Sequence, residues 1–97
     1  MKVAGREFFE AFIKIRPDAE GLLRAWYHEV KSATWKSPID VKAKYGQASI
    51  LKNSRVVFNI GGNKYRLVVA VNYGVGLIRV RWVGTHQAYD KINAEEV

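Results

Sequence analysis

Apolar residues recur every three or four positions in the first part of the chain and every second position after Gly46. In the first part, Phe8, Phe12 and Ile15 mark the cleaner stripe of a helix over about residues 4–16, with Phe9 and Ile13 beside it. Pro17 ends or kinks that helix, because its ring blocks the preceding turn. Pro17, Asp18 and Glu20 then suit the first turn of a second helix over about residues 17–33. Its apolar positions are Leu22, Leu23, Trp26, Tyr27 and Val30. Ser37-Pro38-Ile39-Asp40 reads as a cap, a proline at the first helical position and an acid near the positive helix end. A short helix from there reaches Lys44 or Tyr45, with Gly46 as its stop.

Beyond Gly46 the period of two predicts strands. Arg55–Ile60 is the first, and Gly61-Gly62-Asn63 is a strong hairpin signal. Lys64–Tyr73 returns, with Tyr65, Leu67, Val69, Val71 and Tyr73 on one face and Lys64, Arg66, Val68, Ala70 and Asn72 on the other. Gly74-Val75-Gly76 turns the chain into Leu77–Gly84, where Ile78, Val80 and Trp82 alternate with Arg79 and Arg81. Trp82 therefore reads as core. Thr85 caps a last helical turn through Gln87–Ile92. Helices followed by consecutive hairpins define an α+β fold: two N-terminal helices packed on one face of a small antiparallel β-meander of three to four strands. The other sheet face is then free to be exposed and basic.

A chain of 97 residues makes a single domain, residues 1–97. Charge changes the picture more than size does. Between Val41 and Tyr89 there is no Asp or Glu, yet Lys42, Lys44, Lys52, Arg55, Lys64, Arg66, Arg79 and Arg81 all fall there. The net charge of +7 and pI near 9.9 favour an acidic partner. Nucleic acid is the most abundant one, and unbalanced cations suit its phosphates. With no cysteine and two histidines, neither a disulfide framework nor a metal site is expected. No apolar run is long enough to span a membrane. Arg6, Glu7 and Glu10 interrupt any signal-peptide core, so a cytoplasmic protein is expected.

Arg66 stands near the start of the predicted central strand, where a ladder fixes its base and its planar fork can meet two phosphate oxygens. The plainer reading is an exposed cross-strand cation. His86 and Tyr89 lie three apart in Thr85-His86-Gln87-Ala88-Tyr89-Asp90-Lys91, near one side of a helical turn. Histidine exchanges protons near neutral pH, and tyrosine donates a proton or stacks on a base. The plainer reading has His86 capping a turn and Tyr89 plugging the sheet edge. Asn59, Lys64 and Lys91 are candidate accessories to phosphate or ribose, and Arg79 and Arg81 a cationic footprint. The Gly61-Gly62 pair is not a phosphate loop, since no Lys-Ser or Lys-Thr follows and a strand comes next. Acid–base chemistry without carboxylates or metal leaves His, Tyr, Lys and Arg. That set suits RNA cleavage, in which the ribose 2′-OH is the internal nucleophile.

The run Val57-Phe58-Asn59-Ile60-Gly61-Gly62-Asn63-Lys64-Tyr65-Arg66-Leu67-Val68 and the later Trp82-Val83-Gly84-Thr85-His86-Gln87-Ala88-Tyr89-Asp90 resemble the HigB family of type II toxins. Trp35, Pro38, Asp40-Val41-Lys42 and the two-helix start are also similar to that family. The resemblance spans nearly the whole chain. It implies a RelE-like fold and an endoribonuclease, an mRNA interferase that needs no cofactor and usually cuts translated mRNA on the ribosome. It further implies a HigA-like helix-turn-helix antitoxin, with operator DNA engaged only through that antitoxin. The RelE-like pattern carries transition-state stabilisation onto Arg66, the late acid–base group onto His86 and the late tyrosine onto Tyr89. Where RelE itself has two lysines before the hairpin, this chain has Asn59 and its neighbours, which leaves His86 as the candidate general base. A non-catalytic RNA- or ribosome-binding module and a gyrase-poisoning relative are the alternatives.

Overall fold

The computed structural model describes residues 1–97. The chain opens with a short strand, β1 (Lys2–Ala4), before helices α1 (Glu7–Ile15) and α2 (Ala19–Lys31). β1 falls partly where the periodicity places the start of the first helix, because three residues are too few to register a period of two. Glu7 and Glu10 in the first turn of α1 and Lys14 in the last complement the helix dipole. The phase of α1 differs from the expected stripe: Phe9 is 3% exposed, whereas Phe8 is 43% and Ile15 69% exposed. Trp26 sets that phase, since Phe9 packs edge-on against it with ring centroids 5.9 Å apart. In α2, Leu23, Trp26 and Val30 form the buried stripe. Helix α3 (Pro38–Lys44) starts at the predicted proline and ends just before Gly46. The Asp40 carboxylate accepts from the Lys36 amide at 2.8 Å and so holds its entry.

The remaining elements are β2 (Ser49–Ile50), β3 (Arg55–Ile60), β4 (Tyr65–Asn72), β5 (Leu77–Thr85) and the short α4 (His86–Tyr89). The sheet has five strands in the order β1-β5-β4-β3-β2. β3, β4 and β5 form the predicted antiparallel meander, while β1 adds a parallel strand along β5. The helices cover one face, here called inner. There Phe58 sits among Trp26, Trp35 and Tyr45, with ring centroids 5.3, 6.2 and 5.1 Å away. Tyr65, Leu67, Val69 and Val71 of β4 share that core as expected, with Tyr73 at its margin. Burial of the Tyr45 phenol pushes its pKa up to about 12.

Two features of the outer face depart from the even alternation. The β4–β5 register shifts between Val68 and Val69: Val69 pairs with Val80, but Val68 pairs with Trp82. Arg81 is the extra residue of a β-bulge, and the bulge turns Trp82 away from the helices. Trp82 is thus not part of the inner core with Ile78 and Val80. It packs outside with Val57, Val68 and Ala94. The second departure is that the outer face is not bare. Tyr89, Ile92, Ala94 and Val97 lie over its middle. Backbone oxygens tie this strap down: Glu95 accepts from the Asn53 amide, and Val97 accepts from Arg55 and Arg81. Only the two ends of the outer face remain open.

Candidate active site

Cross-strand register builds the first open end. Asn59 of β3, Arg66 of β4 and Gly84 of β5 are direct partners, so they form one row on the outer face. The hairpin Gly61-Gly62 has both residues at positive φ (64° and 68°), which brings β4 back immediately and sets Arg66 beside the turn. α4 is anchored against the same place. Thr85 caps it by accepting from the Ala88 amide at 3.1 Å, and the His86 amide donates to the Lys64 carbonyl at 3.1 Å.

Arg66 and His86 therefore meet. A terminal guanidinium nitrogen of Arg66 lies 3.2 Å from His86 Nδ1. Arginine only donates, so this hydrogen bond forms in the tautomer that leaves Nδ1 bare to accept. The same guanidinium nitrogen donates to Asn63 Oδ1 at 2.6 Å, and the other terminal nitrogen donates to the Tyr65 carbonyl at 3.2 Å. Three of the five N–H donors of Arg66 are thus used, leaving two for an anion. Half-buried and held from three sides, the guanidinium is preorganised to stabilise developing negative charge.

Other candidate residues fall nearer or farther. Asn59 is adjacent in register and its amide faces Gln47 at 3.4 Å. A hollow of about 200 Å³ lies on that side, lined by Gln47, Asn59 and Gly62 among others. Tyr89 reaches the row through Trp82, its ring centroid 6.2 Å from the indole. The indole covers Gly84, where an added Cβ would fall 2.4 Å from the ring. Lys64 turns away from the row to Asp18, at 2.9 Å. Tyr65 donates to the same carboxylate at 2.7 Å. The Tyr65 bond first, and the Lys64 contact second, hold the Asp18 carboxyl below its ordinary range. Lys91 is exposed beyond α4, and Arg79 and Arg81 lie toward the opposite end of the sheet. The converging set is therefore Arg66 and His86 with Asn59, and not the whole basic group. Asn63 and the Trp82–Gly84 stack were missed in the sequence. Asn63 reads as a turn residue, and only its place three residues before Arg66 hints at a contact across the turn.

Of the eight cations between Val41 and Tyr89, Lys44 and Lys64 find acids in the helical half, Glu29 and Asp18. Arg66, Arg79 and Arg81 find none among the chain's ion pairs. A small α+β fold with a five-stranded, mostly antiparallel sheet is compatible with the RelE-like class of toxins. The family model described as HigB toxin, RelE-like toxic component of a toxin-antitoxin system, matches residues 19–92, and the chain belongs to that family. It is accordingly the toxin of a toxin-antitoxin system, and an antitoxin is its partner. No curated protein matches the chain. No helix is long and apolar enough to cross a membrane.

Proposed function

We propose that this toxin is an endoribonuclease that cuts mRNA, acting on the translating ribosome and so in the cytoplasm. The observation that carries this reading is the Arg66–His86 contact at 3.2 Å. It sets a guanidinium, a group suited to holding an anion, against an imidazole, a group suited to proton transfer. In the proposed reaction the scissile phosphate takes the two free donors of Arg66. The ribose 2′-oxygen attacks phosphorus as the 5′-oxygen leaves, giving a 2′,3′-cyclic phosphate. Arg66 stabilises the charge that builds on the phosphoryl oxygens. His86 serves as the proton-transfer group: once the substrate draws the Arg66 N–H off Nδ1, that nitrogen takes the 2′-OH proton, and the imidazolium returns one to the leaving 5′-oxygen. Tyr89 and Trp82 offer aromatic surface to the neighbouring base. Asn59 orients the ribose, and Lys91 adds positive charge near α4.

The antitoxin partner is proposed to be a HigA-like helix-turn-helix protein, with operator DNA bound only through it. The test is primer-extension mapping of transcripts after brief expression of the parent, Arg66→Ala and His86→Ala, repeated with purified protein and ribosomes in EDTA. Each variant is expected to lose about 10²–10³-fold in cleavage, the size of a lost transition-state donor, with its melting temperature kept. Variants that cut as well as the parent overturn the site. Growth arrest by the parent without cut transcripts points instead to RNA or ribosome binding alone, or to a gyrase-poisoning relative.

A further inference from the structure

The largest concavity lies at the opposite end of the outer face from His86. It is an open groove of about 570 Å³ lined by Ser54, Arg55, Ala70, Asn72, Tyr73 and Arg79 among others. Register explains its floor. Arg55, Ala70 and Arg79 are direct partners on three neighbouring strands, so two guanidinium groups flank one methyl group. Their Cα atoms are about 10 Å apart, twice the strand spacing. No Asp or Glu lines the groove. Backbone oxygens of Asn53 and Val97 hold Arg55 in place. Arg79 is exposed, and none of the chain's ion pairs includes it. A fixed arginine facing an unpaired one across a small residue is a trough suited to an anion.

We propose that this groove is a second subsite for single-stranded RNA, holding a phosphate upstream or downstream of the one that is cut; it rests on the ribonuclease reading of Arg66 and His86. Arg66 and Ala70 are on the same face of β4, four residues apart, which is about 13 Å. That is further than one sugar–phosphate link reaches, so phosphates held at the two ends belong to nucleotides at least two apart along the strand. Between the two ends rises the strap over Val68, with half-buried Trp82 and Tyr89 at its flank. Aromatic faces of this kind accept bases with little regard to sequence. The RNA must therefore cross an apolar ridge, and a trinucleotide is too short to engage both ends.

The test is fluorescence anisotropy with end-labelled 2′-O-methyl RNA, which lacks the nucleophile, as a trimer and a decamer of one repeating sequence. The parent is expected to bind the decamer about 30-fold tighter than the trimer, and Arg79→Glu to shrink that ratio to about threefold. In Arg79→Ala the slope of log affinity against log salt should fall by about 0.7, the loss of one single-strand phosphate contact. An Arg79→Glu protein that binds the decamer as tightly as the parent overturns the proposal, as does a parent that does not favour the decamer. If the Arg79-dependent advantage persists while the parent cuts no mRNA, the groove stands as an RNA site and the ribonuclease reading falls.

Discussion

The two faces of the sheet are built on different terms. The inner face is one continuous core in which nine residues of β3, β4 and β5 meet Phe9, Leu23, Trp26, Val30, Trp35 and Val41. The outer face has only a three-residue cluster, Val57, Val68 and Ala94, with aromatic and apolar flanks beneath the strap. Apolar area removed from water dominates folding stability, so the inner face holds the molecule together. The outer face contributes less and is correspondingly free to leave charges unpaired at both ends. What the contrast teaches is a division of labour across one set of strands. Alternate residues of β4 serve stability (Leu67, Val69) and candidate chemistry (Arg66).

The sharpest way to break this comparison is at Phe58, fully buried and touching three other aromatic rings. Phe58→Ala is expected to cost about 3–5 kcal/mol by denaturant unfolding, enough to threaten the fold of a small domain. A loss as small as that of an outer-face variant such as Arg66→Ala would end the claim that the inner face carries stability.

A smaller effect is expected at Gly84. A methyl group there falls 2.4–2.5 Å from two carbons of the Trp82 indole. Gly84→Ala should cost about 1–3 kcal/mol through overpacking and shift the tryptophan fluorescence. Trp82→Ala in the same chain should restore part of the loss. If the double variant is as unstable as the sum of the two single changes, the ring is not what Gly84 accommodates.

The smallest effect sharpens the boundary between helices and sheet. Asp18 accepts from Tyr65 and Lys64, so its pKa is lower folded than unfolded. Such a carboxylate stabilises above its unfolded pKa, and the contribution is lost as pH falls through the folded value. Asp18→Asn should therefore melt slightly below the parent at neutral pH, with the gap closing as pH drops beneath the ordinary value of 3.8. A gap that is constant with pH would assign the effect to something other than this charge. The pair is exposed, so screening keeps the difference small.

Much of this was legible beforehand because it is local. Pro17, Pro38 and Gly46 punctuate helices through their own backbone limits, and Gly61-Gly62 makes a hairpin almost regardless of context. The inward set Tyr65, Leu67, Val69 and Val71 follows from a period of two. The Arg66–His86 pairing was only partly legible. Each residue stood out by type, but the contact depends on the Tyr65–Thr85 register and on the helix cap that follows. Three readings did not transfer. The stripe of α1 rotated to Phe9 because Trp26 offered the better partner, and Lys64 found an acid 46 residues away in sequence. Trp82 changed faces because one bulge inverts every residue after it, and a bulge leaves no mark on the alternation of types.

By itself, then, the order of residues determined the element types, the turns and the uneven charge, since each depends on neighbours a few positions apart. The tertiary structure decided which cations lost their freedom to acids in the helices and which stayed unpaired. It also decided that the last residues strap the outer face into two separate ends. Those outcomes rest on contacts between distant segments, whose energies are set by register, burial and shape rather than by any local pattern.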